Sequence, residues 1–420
     1  MRYGSALATL AVLTLAACGP TVNPSSDGGA DQRLHDHTQL PDLTCVGSLP
    51  ADVPAGGLEL PRPTGPYGIG TELRALVDPA RDEPATPELT DKRKIAVQLF
   101  YPADPCPTGA PAALMARGEA KSAGGTIWAF KDWPPDKPWE QLVVMHARAN
   151  VPLATAGGRF PVMIFSHGFT GLRDFSVSYL EDLASWGFVV AAISHTYDSA
   201  AVVFPDGSQA DFNVYWAADP NSITDAEMDA HIAVWLADAR FVADQFTAWN
   251  AGDSNGRLTG RLDLDRIGMV GGSYGGAAAA EACFADARFK AGANLDGTLF
   301  SPARTTGGRA VNQPFMIQLS AGHVGDQSID SFFDKLHVGY EVRIANSTHM
   351  SFGDGEIIVK QIFGADVATK WFGSGDYLRT LVVSRAYNLA FFKKHLRGEP
   401  QPLLDGPSAN FPEVTLTKKP

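Results

Sequence analysis

Apolar positions along this chain fall into two patterns that take turns: short unbroken runs, and longer stretches with helical spacing. The unbroken runs are FPVMIFS from Phe160, GFVVAAIS from Gly187 and Ile267 to Val270, and three further short strands follow at Phe289 to Leu295, Pro314 to Leu319 and Gly339 to Ile344. Each is bounded by glycine or polar residues, which fits a strand buried on both faces. Helical spacing runs between them, over Asp174 to Trp186, from Thr224 as N-cap to Trp249, through the alanines after Gly276, around Ile329 to His337, and over Leu378 to Leu396. An earlier stretch differs. In KIAVQLFYP, Ile95, Val97 and Leu99 alternate with Ala96 and Gln98, predicting a strand of an antiparallel edge pair whose partner starts at Tyr67 to Ile69. Repeated strand and helix order predicts an α/β architecture, a mostly parallel central sheet with helices on both faces. In such sheets ligands gather at the carboxyl ends of the strands.

Two stretches break this rhythm. Residues 103 to 158 are rich in Pro, Gly and Ala and carry Trp128, Trp133 and Trp139, a segment that covers a core face or lines an apolar cleft. Thr196 to Ser222 is a polar and aromatic insertion with Phe204, Phe212, Tyr215 and Trp216, placed like a lid.

The first 18 residues hold one arginine and then an apolar run too short to span a bilayer, the pattern of an export signal. Its end, Leu15-Ala16-Ala17-Cys18, resembles a bacterial lipobox, which predicts acylation of Cys18 and a lipid-anchored protein of the cell envelope. Gly19 at the next position leans toward the outer membrane. Residues 19 to 44 are poor in apolar residues and read as a tether, in which His35 and His37 are incidental. The rest, 45 to 420, reads as one domain. Export permits a disulfide, and Cys45 and Cys106 could pair, whereas Cys283 falls on a helix and reads as a buried thiol. With 45% hydrophobic residues the chain can build a large core, and its net charge of -12 argues against nucleic acid as a partner. No spacing of His and Cys points to zinc.

Chemistry enters at DRIGMVGGSYGGAAAA, a strand, a glycine turn and a helix with Ser273 at the apex. Gly271-Gly272-Ser273-Tyr274-Gly275 fits the G-x-S-x-G nucleophile elbow, in which glycines let strand and helix backbones pass closely around a strained serine. A serine hydroxyl is nearly inert near neutral pH, so it needs a general base and the base needs an acceptor. Of the ten histidines, His349 follows the last parallel strand, downstream of serine and acid; His167, His195 and His323 also follow strands. For the acid the residues leave two positions open, Asp296 after the strand that succeeds the elbow helix, and Asp326 after the next strand. Oxyanion donors are expected from the backbone amides of Tyr274 and of Phe169 in the SHGFTG turn.

Together GPYGIG, KIAVQLFYP, FPVMIFSHGFTGLRDFSVSYLEDLASWGFVVAAISH, GGSYGG, NLDG and STHMSF resemble the platelet-activating factor acetylhydrolase family, plasma and type II, of the α/β-hydrolase superfamily, over about residues 65 to 415. The resemblance implies the α/β-hydrolase fold. It also implies calcium-independent hydrolysis of short or oxidised acyl chains from phospholipids or similar esters, with no metal or organic cofactor. It further implies Ser273 as nucleophile, His349 as base, Asp296 in preference to Asp326 as acid, and Phe169 and Tyr274 as oxyanion donors. One departure bears on substrate: the family commonly has histidine before the serine, and this chain has Gly272. Two alternatives stand beside this expectation, a secreted general esterase or polyesterase, and a surface lipoprotein that keeps the fold as a binding module.

Overall fold

In the computed structural model, the described residues are 58–88, 90–116, 118–119, 143–219, 222–300 and 310–419. Cys18, the tether, Cys45 and the three tryptophans of 128–139 lie outside them. A twelve-stranded sheet crosses the molecule. Its central strands are β6 (Phe160–Ser166), β7 (Val189–Ser194), β10 (Leu262–Gly272), β11 (Phe289–Leu295), β12 (Phe315–Ser320) and β13 (Gly339–Ile344). These six run parallel in the order β7-β6-β10-β11-β12-β13. The alternating segment is β3 (Lys92–Ala103), paired antiparallel with β2 (Gly68–Asp82) on one side and with β7 on the other.

That pair is not at the edge. Beyond β2 lie β5 (Val143–Ala149), β4 (Pro111–Ala113) and β1 (Leu58–Glu59), while β14 (Val414–Lys418) closes the far side antiparallel to β13. β2 also extends through the polar stretch after Ile69, because its pairing with β3 carries backbone hydrogen bonds whatever the side chains are. Strand β5 went unread for the same reason: His146 and Arg148 interrupt its apolar residues.

Alternation within the unbroken runs explains why they must be apolar throughout. In β6, Met163 and Phe165 enter one core while Val162 and Ile164 enter the other; in β7, Val190 and Ala192 oppose Val189, Ala191 and Ile193. One core packs against α1 (Val177–Ser185), α5 (Gly355–Phe363), α6 (Ala365–Phe372) and α7 (Tyr377–Arg397). The other packs against α2 (Asp225–Gly252), α3 (Tyr274–Ala285) and α4 (Gln327–Lys335). Helix α2 begins with a capping box in which Thr224 and Glu227 satisfy each other's backbone amides. Helix α3 is buried along Tyr274 to Cys283, and its alanines let it lie close to β10 and β11. Within the insertion, β8 (Ala201–Val203) and β9 (Gln209–Asp211) form a separate hairpin.

Cys106 is disulfide-bonded to a partner outside the described residues, and Cys283 is a buried free thiol. Burial raises the Cys283 thiol far above its ordinary range, so it stays protonated and inert.

Candidate active site

Ser273 sits between β10 and α3 with φ 53° and ψ −122°, a conformation that only glycine adopts without cost. The surroundings enforce it: Ser273 N–H donates to the Leu295 carbonyl at 2.9 Å, and its own carbonyl accepts from Gly276 at 2.9 Å. Glycines make the turn possible. A Cβ on Gly271 would lie 2.2 Å from the Gly275 carbonyl, and one on Gly275 would lie 2.2 Å from the Ser166 carbonyl. Gly272 is different, because a Cβ there meets nothing within 4 Å.

Asp296 follows β11, also at positive φ (58°), where aspartate is tolerated better than most side chains. Asn294 clamps this turn by accepting from Gly297 N–H at 2.8 Å and donating to Gly297 O at 2.6 Å. His349 opens a one-turn 3₁₀ helix, His349–Phe352, capped by Thr348 and Ser351. The three residues come together from three strand ends. Ser273 Oγ donates to His349 Nε2 at 3.1 Å, and His349 Nδ1 donates to Asp296 Oδ2 at 2.9 Å.

Exposure grades along this row. The Asp296 side chain is 1% exposed and that of His349 47%. Burial alone would push Asp296 toward its neutral acid, yet hydrogen bonds from His323 and His349 outweigh it and hold the carboxyl well below the usual range. Ser320 adds two more donors, its N–H at 2.6 Å and its hydroxyl at 2.9 Å. Asp326 is used elsewhere: it caps α4 through Ser328 N–H at 2.9 Å and pairs with His323 Nε2 at 3.0 Å.

The amides expected to bind an oxyanion flank the serine. Tyr274 is the first residue of α3, so its N–H points out of the helix N-terminus. Phe169 lies in the turn after β6, and the Gly168 beside it is close enough that a Cβ there would sit 3.1 Å from Ser273 Cβ. His167 orients this turn. His195 N–H donates to its Nε2 at 3.2 Å, which places the His167 proton on Nδ1, and Nδ1 donates to the Gly168 carbonyl at 2.6 Å. Gly171 N–H donates to the same carbonyl at 2.8 Å. Fixing that carbonyl fixes the Phe169 N–H on the opposite side of a planar peptide. Burial, with His195 beside it, lowers the His167 pKa to about 3, so the ring stays neutral.

His195 belongs to a second serine, histidine and aspartate row. Its Nε2 meets Ser166 Oγ at 3.1 Å and its Nδ1 meets Asp238 Oδ2 at 2.9 Å. Both the histidine and the aspartate are 0% exposed, and Arg93 closes on Asp238 with bonds of 2.7 and 3.1 Å. This row repeats the distances of the first but is sealed from any substrate. It is a buried polar network that supports the oxyanion turn through the backbone of His195. Geometry alone would have admitted it as a site, and exposure separates the two.

The insertion contributes aromatic rings. Phe169 lies edge-on to Phe212 at 5.6 Å, to Trp216 at 5.7 Å and to Tyr274 at 6.0 Å. Asp198 fastens the insertion to α2, accepting from His231 Nε2 at 2.8 Å and from Trp235 and Trp216 indole N–H at 2.9 and 3.2 Å. Asn294 and Ser320 are not among the residues the sequence singles out, and His323 appears there only as one of several histidines after strands; the apposition of β11 with β12 brings all three to the site.

Chemically, the exposed row can move a proton from a serine hydroxyl to an imidazole held in one tautomer, with two amides nearby for a developing negative charge. A family model described as platelet-activating factor acetylhydrolase, isoform II, matches residues 57–219 and 248–401. A probable 1-alkyl-2-acetylglycerophosphocholine esterase of Arthroderma benhamiae is 25% identical over 399 residues, covering 88% of this chain and 96% of that protein. A platelet-activating factor acetylhydrolase of Cavia porcellus is 26% identical over 273 residues, and the match covers 60% of this chain and 61% of that protein. Among solved structures, a ferulic acid esterase from Streptomyces cinnamoneus superposes with a TM-score of 0.71 at 30% identity, over 86% of this chain and 99% of that one.

Proposed function

The chain belongs to the platelet-activating factor acetylhydrolase isoform II family and is a carboxylic ester hydrolase of the α/β-hydrolase fold, and from that premise we propose that Ser273, His349 and Asp296 carry out its reaction. The observation that carries this is the pair of contacts at 3.1 and 2.9 Å joining an exposed imidazole to the elbow serine and to a buried carboxylate. In the first step His349 takes the Ser273 proton as Oγ attacks the ester carbonyl, and the Phe169 and Tyr274 amides receive the oxyanion, each worth about 3 kcal/mol. His349 returns the proton to the departing alcohol, leaving an acyl-serine. Water then adds by the same route, and Asp296 holds the imidazolium throughout.

The substrate we propose is a phospholipid-like ester with a short acyl chain. The names of the fungal and guinea-pig relatives support it. An N-terminal lipid on Cys18 belongs to the same proposal, since it would keep the enzyme at a lipid surface in the cell envelope. A second reading, an esterase of aromatic acids, is favoured by the rings of Phe212 and Trp216 against Phe169 and by the Streptomyces neighbour. The test compares kcat/KM for a phosphatidylcholine with an acetyl second chain against methyl ferulate, with Ser273→Ala as control. A preference of tenfold or more for the phospholipid is expected; the reverse preference would transfer the proposal to the aromatic ester.

A further inference from the structure

His323 forms no contact with Ser273, yet it is built into the same carboxylate that holds His349. Its Nδ1 is 3.1 Å from Asp296 Oδ1 and its Nε2 is 3.0 Å from Asp326 Oδ2. Both carboxylates have other donors, Ser320 on Asp296 and the Ser328 N–H and hydroxyl on Asp326. A neutral imidazole has one N–H, so it can donate to only one of two flanking carboxylates. Two carboxylate partners therefore require a proton on each nitrogen, which makes the ring a cation.

We propose that His323 is a positioning residue for the ester hydrolysis: a doubly protonated imidazole wedged between Asp296 and Asp326 that locks Asp296 as an oriented carboxylate and offsets the negative charge behind His349. This rests on the reading of Ser273, His349 and Asp296 as the catalytic row.

The ring's surroundings agree with a cation. Burial works against the charge, but hydrogen bonds to Asp296 and Asp326 prevail and raise the His323 pKa to about 9. From β13, Arg343 donates to the His323 carbonyl at 2.5 Å and pairs with Glu341 at 3.3 Å, so that guanidinium is turned to the backbone and to its own partner. Among the described residues, the remaining titratable group facing the cluster is His349, across Asp296. With two carboxylates and one imidazolium, the cluster behind His349 carries a net charge near −1, where two uncompensated aspartates would give −2. A more negative cluster holds a proton on His349 to higher pH, and a protonated His349 cannot accept the Ser273 proton.

The sign of the prediction follows. Replacing His323 by glutamine removes the positive charge and keeps an amide donor for Asp296. The acid limb of kcat/KM, which reports the base of the free enzyme, should move upward by about one pH unit, the scale expected when one charge is removed across a shared carboxylate. The full-length enzyme would be assayed on p-nitrophenyl acetate between pH 5 and pH 8 as wild type, His323→Gln and His349→Ala. The ratio of kcat/KM at pH 6 to that at pH 8 is expected to fall about fivefold in His323→Gln. A uniform loss with an unmoved limb would overturn the proposal, because a merely structural histidine lowers the rate without changing its pH dependence. If His349→Ala retains wild-type activity, the catalytic row itself is wrong and the proposal falls with it, a failure distinct from the first.

If His323→Gln does not fold, imidazole ¹⁵N spectra of the wild type decide. The resonance displaced by Asp326→Asn should be doubly protonated at pH 7.5, and a neutral tautomer there would overturn the assignment.

Discussion

Asp296 accepts four hydrogen bonds, from Ser320 N–H, Ser320 Oγ, His323 and His349, while Asp326 is committed to His323 and to the start of α4. Asp296 stays charged in spite of burial because the hydrogen bonds from His323 and His349 outweigh the loss of solvent. The two aspartates are therefore unequal in what they can do for His349. Asp296→Asn keeps the size of the side chain but offers an amide where the imidazole N–H needs an acceptor, so kcat should drop by about 10⁴. Asp326→Asn leaves the bond between His349 and Asp296 untouched and should cost less than about tenfold in kcat/KM at pH 8 on p-nitrophenyl acetate. A larger loss for Asp326→Asn than for Asp296→Asn would reverse the assignment.

Between β10 and α3, stability and chemistry share the same few residues. The strained serine is tolerable because its backbone is bonded to Leu295 and Gly276, and because Gly271 and Gly275 leave room for strand, helix and the Ser166 carbonyl to pass. Overpacking here has no outlet. Gly275→Ala should lose about 3 kcal/mol or fail to fold, since its Cβ would strike backbone; Gly272→Ala should stay within about 1 kcal/mol in a urea titration. Equal losses at the two positions would contradict this account. The open space at Gly272 means that the first carbon of any larger side chain meets nothing within 4 Å there. At this scale the chain order was readable before any coordinates: strands ending at Leu295 and Ile344 and a helix capped by Thr224 fall where periodicity placed them. What periodicity could not supply was β5, α5 and α6. Strand β5 mixes His146 and Arg148 into an apolar run, and α5 and α6 are short helices broken at Gly364, where φ is 94°.

For the molecule as a whole, the parallel sheet sets two serine, histidine and aspartate rows near one another and lets packing decide between them. Ser166 and His195 lie against α2, which itself supplies Asp238, with Arg93 neutralising the carboxylate, whereas Ser273 and His349 stand at the open ends of β10 and β13. From the residues, His195 and His349 were comparable candidates apart from chain order, because both follow a strand. Their exposure, 0% against 47%, depends on where α2 and the insertion come to rest, which no local pattern encodes. Similarly, the bridge from Asp296 through His323 to Asp326 joins residues that the linear sequence presents only as rival acids. In the proposed reaction Ser273 supplies the attacking oxygen and the buried row takes no part. Covalent labelling with a fluorophosphonate probe, followed by peptide mass analysis of the intact chain, tests it directly. A single adduct on Ser273, rising in step with loss of esterase activity and absent from Ser273→Ala, is the predicted result; inactivation with Ser273 unmodified, or an adduct on Ser166, would contradict it.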